Sequence, residues 1–223
     1  MKKYLSLLLF TLLLSVPTLA GTISLLGVYN STSRLGTEGS FSGGNPPSTS
    51  TWDFGDYEGV GYGIEFEDSY CGALTYQIGY IVNPKSRYSL VTTTLTQPDF
   101  DFQSATVTLE EPAVFQNDIA YFNLSYSINN SFYIYAGLNH SFPKLTNPKF
   151  SGASVFGSID IAGNLGHQIG FGYRFTDTLT FDAAYQTVKW SGSLSAPDDG
   201  GTQRFSDDSM SSVRAGIKYG FEI

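Results

Sequence analysis

The 223-residue chain is poor in the side chains that soluble catalysts and metalloproteins draw on: one Cys, two His, two Met and two Trp. One cysteine, Cys71, excludes an intramolecular disulfide and leaves a small buried side chain as the simplest role. Basic residues are scarce: 12 Lys and Arg stand against 20 Asp and Glu. That balance excludes the clustered positive charge of a nucleic-acid binder. Beyond the first 20 residues no apolar run is long enough for a helical membrane span. Zinc-ligand spacing, a P-loop and a dinucleotide fingerprint are all lacking. These absences point to no cofactor, no metal and no enzyme.

What is present is glycine and aromatic residues, with 24 Gly, 15 Tyr and 17 Phe, in a strict two-residue rhythm. Along the last strand Val213, Ala215, Ile217, Tyr219, Phe221 and Ile223 share one side, and Arg214, Gly216, Lys218, Gly220 and Glu222 the other. Period two is the period of a β-strand with one apolar and one polar face. The N-terminus reads differently. Lys2 and Lys3 precede an apolar stretch from Leu5 to Val16, and Thr18-Leu19-Ala20 form a small-residue end before Gly21. This is the pattern of a secretory signal peptide over 1–20. Removing it leaves 10 basic and 20 acidic side chains.

Alternation predicts eight strands near 22–32, 56–66, 70–82, 117–128, 131–142, 165–175, 179–190 and 211–223. Short turns are expected at 67–69, 129–130 and 176–178, where Asp, Asn and Ser favour tight turns. Long connections are expected at 33–55, 83–116, 143–164 and 191–210. Within the second, 89–95 and 105–109 read as a hairpin projecting beyond the membrane, with a ten-stranded barrel as the alternative. Three short turns and four long loops are the rhythm of an outer-membrane barrel, whose long loops lie outside.

The faces follow from the same count. Val60, Tyr62, Ile64 and Phe66 oppose Gly59, Gly61, Gly63 and Glu65; Leu74, Tyr76, Ile78 and Tyr80 oppose Ala73, Thr75, Gln77 and Gly79. In a membrane barrel the apolar set faces lipid. The lumen then holds Glu65, Arg174, Asp182, Arg214, Lys218 and Glu222, with Tyr121, Tyr133 and Tyr135 filling space beside inward glycines. Charges in so narrow a space must pair or be hydrated. They form either a salt-bridge plug or the constriction of a narrow conduit. Tyr57, Phe66, Tyr70, Phe132, Phe142, Phe175, Trp190, Tyr219 and Phe221 sit near strand ends and read as interfacial girdles.

The leader, the terminal run SVRAGIKYGFEI and the run GNLGHQIGFGYRFTDTLTFDAAYQ resemble the small outer-membrane β-barrel proteins of Gram-negative bacteria, the OmpX-like and OmpW-like group. The resemblance implies an all-β, eight-stranded antiparallel up-and-down transmembrane barrel over 21–223, in the bacterial outer membrane among lipid and lipopolysaccharide. It also implies that Ile217, Tyr219, Phe221 and Ile223 carry the signal read by the barrel-assembly machinery, although the family pattern ends in an aromatic and this chain in Ile223. The leading expectation is a structural or surface-interaction role through long loops that meet an extracellular partner. A narrow, porin-like channel for small or hydrophobic solutes is the alternative, and a lipid-modifying enzyme a third. The enzyme lacks a constellation: His140 and Ser141 are adjacent on a strand and point to opposite faces. Asp198, Asp199, Asp207 and Asp208 read as a solvated acidic loop.

Overall fold

In the computed structural model, residues 21–42, 48–97, 100–147, 149–150, 153–154, 156–195 and 202–223 are described. The signal-peptide expectation lies outside them, as do Asp198 and Asp199. The described residues form strands and turns without a helix. Eleven strands follow in order: β1 Thr22–Ser42, β2 Ser48–Cys71, β3 Leu74–Val82, β4 Ser86–Gln97, β5 Phe100–Ser127, β6 Phe132–Thr146, β7 Lys149–Phe150, β8 Ala153–Ser154, β9 Ser158–Arg174, β10 Leu179–Ser195 and β11 Thr202–Glu222.

Antiparallel pairing runs β1–β2, β2–β3, β3–β5, β5–β6, β6–β9, β9–β10 and β10–β11, and β11 returns to β1. The return ladder extends from Thr22 opposite Glu222 to Ser31 opposite Val213, so the sheet closes on itself. β3 and β4 both pair with β2 and β5 and are two halves of one wall strand, while β7 and β8 form a small hairpin outside the wall that joins β5 at Glu111 opposite Lys149. The wall therefore has eight strands. The two segments that could have made a ten-stranded barrel are upward extensions of β4 and β5, which pair with each other from Leu90 opposite Thr108 to Gln97 opposite Phe100.

Strand ends differ from the sequence expectation in two places. The 67–69 segment is ladder: Glu67 pairs with Gln77 and Ser69 with Thr75. The turn falls at Gly72-Ala73, where Gly72 has φ 57°, a left-handed backbone that glycine adopts without steric cost. At the other end, most of the expected long connections 33–55 and 83–116 continue as strand. Backbone pairing persists there after amphipathic alternation fades, so periodicity does not mark it.

The apolar set faces outward. Val60 is 72% exposed, Tyr62 68%, Leu165 64% and Ile169 58%, and Ile217, Tyr219 and Phe221 lie on the same outer face. Such a belt is stable against hydrocarbon and costly against water. Inside, close packing rests on cross-strand Gly–Tyr pairs. Gly79 faces Tyr121, Gly172 faces Tyr133 and Gly170 faces Tyr135. A Cβ on Gly172 would lie 2.1 Å from Tyr133 Cζ, and one on Gly79 2.2 Å from Tyr121 Cζ. Gly172→Val should therefore cost about 1–3 kcal/mol by overpacking, measured by urea unfolding of the refolded barrel in liposomes. Adding Tyr133→Ala should recover part of the loss.

Candidate functional site

Inward positions near the short-turn ends of β2, β10 and β11 converge on one cluster. Lys218 Nζ lies 2.8 Å from Glu65 Oε1 and 3.2 Å from Asp182 Oδ2, and Arg214 Nη2 lies 3.2 Å from Asp182 Oδ1. Three phenols complete it. Tyr121 Oη donates to Glu65 Oε2 at 2.6 Å and Tyr135 Oη to Asp182 Oδ1 at 2.9 Å, while Lys218 Nζ donates to Tyr133 Oη at 3.3 Å. The Arg214 guanidinium lies over the Tyr121 ring, 5.1 Å from its centroid. Arg214 is fully buried, and Glu65, Asp182 and Lys218 nearly so. Two cations and two anions cancel, which makes their desolvation tolerable.

The other two expected lumen charges make their ion pairs elsewhere or none, although the Arg174 guanidinium lies over the Tyr133 ring, 4.7 Å from its centroid. Arg174 pairs with Glu67 at 3.2 Å nearer the short-turn rim, where Gln77 also donates to Glu67. Glu67 falls within an expected turn, so the sequence alone does not bring it into the lumen. Glu222 is exposed at the rim, outside the buried cluster. The terminal group Ile217, Tyr219, Phe221 and Ile223 points outward. His140 packs edge-on against Phe142, Ser141 Oγ donates to Lys189 O on the inner side, and His167 is exposed on the outer face. The structure does not bring these three together.

Toward the long-connection ends the inner face changes character. Tyr57, Leu109, Phe115, Ile119, Phe156, Val188, Trp190, Leu194 and Met210 form one buried apolar cluster. Tyr57 and Phe115 meet edge-on at 5.6 Å, and Phe115 approaches Trp190 at 6.1 Å. This corrects the girdle assignment of Tyr57 and Trp190, which face inward with 2% and 3% exposure. Strand parity could have found both: Tyr57 shares a face with Gly59 and Glu65, and Trp190 with Asp182 and Gln186.

Beside this cluster the wall is interrupted. The β2–β3 ladder ends at Tyr62 opposite Val82, and the β2–β4 ladder resumes only at Asp53 opposite Thr92. Residues 83–91 lie between them without a β2 partner, and the first three, Asn83, Pro84 and Lys85, belong to no strand, where a proline cannot donate to a ladder. Side chains close the seam instead. Tyr57 Oη donates to Pro84 O at 3.0 Å, and a Cβ on Gly59 would lie 2.6 Å from Pro84 Cγ. Asn83 donates from Nδ2 to Asn117 O at 2.6 Å and from its backbone N–H to Asp118 Oδ1 at 3.2 Å. Asn30 donates to Asn83 Oδ1, and Gln116 to Asn83 O. The signal in the sequence was Pro84 within a β-rich stretch.

Neither a family model nor a curated protein sequence matches this chain. Solved structures do. The outer membrane protein OprG of Pseudomonas aeruginosa aligns with TM-score 0.58 and 15% identity, over 92% of this chain and 97% of its own. The outer membrane protein AlkL, determined in lipid bilayers, aligns with TM-score 0.56 and 11% identity, over 94% of each. The chain thus has the fold of small bacterial outer-membrane barrels, and its apolar belt is the wall such a membrane requires.

Replacing Lys218 by Met would strand Glu65 as a buried anion and leave Asp182 with Arg214 as its one cationic partner. We expect a loss of about 3–5 kcal/mol, again by urea unfolding in liposomes. Lys218→Met with Glu65→Gln should lose less than the sum of the two single changes.

Proposed function

We propose that the protein is a passive conduit for small apolar solutes, taken into the apolar inner cluster and released sideways through the seam into lipid. One observation carries this reading: the ladder gap at Asn83–Lys85, closed by side chains, adjoins the apolar cluster at Tyr57, while the axial path beneath is filled by the buried charge network. An inward apolar cluster is unusual in a membrane barrel, whose lumen is ordinarily polar. An apolar solute crossing the charged layer would break well-formed ion pairs without replacing them. Leaving sideways carries no such cost, because the lipid tails offer it the same environment as the cluster. The seam is also the place where the wall is held by side chains, which change rotamer far more readily than a ladder breaks.

A second reading, contact with an extracellular partner, draws on the length of the strands. β2 spans 24 residues and β5 28, against the about 9–11 that a tilted membrane strand needs. The surplus is a rigid wall that could present a binding edge. The two readings are separable.

Purified protein in liposomes should speed uptake of an apolar fluorophore over empty liposomes and remain silent to ions in a planar bilayer. Pro84→Ala restores a backbone N–H at the break and should let β3 and β4 join, lowering uptake several-fold while the fold persists. Uptake no faster than through empty liposomes would sink the conduit and leave the surface role.

A further inference from the structure

The seam has an inner lip that no apolar solute would need. Asn117 lies on β5 between Phe115 and Ile119, on the face that carries both into the apolar cluster, and it is fully buried. Its backbone carbonyl is held by Asn83, yet neither Nδ2 nor Oδ1 of its side chain has a hydrogen-bond partner. Asn30, joined to Asn83 through its amide nitrogen, likewise has an unpartnered Oδ1 and is 2% exposed. Unpaired amides set among aromatic and aliphatic side chains are costly, and a leucine would fit such surroundings better.

We propose that Asn117 and Asn30 form a head-group site on the inner lip of the seam, and that the solute is a neutral amphiphile: an apolar body with a hydroxyl or carboxamide head. The inference deepens the conduit reading and rests on it for the apolar body's place in the cluster. Asn117 offers a donor and an acceptor together, and Asn30 a further acceptor, which is the complement of a group that both donates and accepts. Charge nearby is already matched. Asp118 points to the opposite face, where Tyr80, Gln116 and Lys144 surround it. Arg214, the register partner of Asn30, has its charge offset by Asp182. A neutral head therefore fits better than a carboxylate or an ammonium. A site built to hydrogen-bond a hydroxyl discriminates against the analogue that lacks it, because its own polar groups are then left unpaired.

The test is titration of the ¹⁵N-asparagine-labelled, refolded mature protein in lipid nanodiscs with 1-hexanol, n-hexane and hexanoate. The side-chain amide resonances of Asn117 are followed, with Asn117→Leu for assignment. Hexanol should shift these resonances saturably and bind roughly tenfold tighter than hexane after correction for partition into empty nanodiscs. Asn117→Leu should bind both alike. Equal binding of hexanol and hexane by the unaltered protein, a hexanol preference that survives Asn117→Leu, tighter binding of hexanoate, or resonances that hexanol leaves unmoved would each overturn the proposal. If the leucine variant does not fold, the hexanol, hexane and hexanoate affinities of the unaltered protein still decide between these outcomes. Fluorophore uptake separates the two ideas: saturable hexanol binding without uptake keeps the site and removes the conduit, and uptake without a hexanol preference does the reverse.

Discussion

Closure of the sheet is the constraint from which the rest follows. A strand edge in hydrocarbon would leave its N–H and C=O groups without partners at several kcal/mol each, so β11 must return to β1 along its whole membrane length, as it does from Glu222 to Val213. Eight strands fix a bore that side chains must fill. The Gly–Tyr pairs, the neutral charge cluster and the apolar cluster are three ways of filling it. Each uses a different energy: van der Waals packing, paired electrostatics and apolar contact. Between β2 and the β3–β4 break the ladder is interrupted; hydrogen bonds from Tyr57 and Asn30 reach across the seam, and those between Asn83 and β5 at Gln116 and Asn117 hold the break on its other side.

How far this was legible depends on which physical signal each feature leaves. Alternation assigns the outer face correctly at Val60, Tyr62, Ile169 and Ile217, because lipid on one side and lumen on the other force period two. It brings Glu65, Asp182, Arg214 and Lys218 to one side, but not to one another; their meeting depends on the shear of the closed barrel, which no local pattern encodes. The same count places Arg174 and Glu222 inside; Arg174 borders the cluster at Tyr133 but pairs with Glu67, and Glu222 is exposed at the rim. Tyr57 and Trp190 mislead because an aromatic near a strand end suggests an interface, whereas their parity points inward. The turn at Gly72-Ala73 is displaced from its expected place because Glu67, Asp68 and Ser69 suit a turn and a watery rim equally well.

Asn117 is legible in only one respect. Its parity with Ile119 and Tyr121 points it inward, but an inward asparagine is ordinary in a barrel with a polar lumen. Only the three-dimensional structure shows that its side-chain amide is left without a hydrogen-bond partner, with Phe115 and Ile119 on either side in the apolar cluster. Gln77, Asn123 and Gln168, by contrast, hydrogen-bond one another within the polar part of the lumen. Identical residue types thus do different work in one barrel, according to the layer they occupy.

The length of β5 bears on the path outside the bilayer. At about 3.3 Å per residue a 28-residue strand is far longer than the roughly 30 Å hydrocarbon core even when steeply tilted. The surplus stands beyond the hydrocarbon on the side of the long connections. In the proposed conduit, a wall of this height sets the entrance well beyond the lipid headgroups, so the length of the path is fixed by the strands rather than by the bilayer.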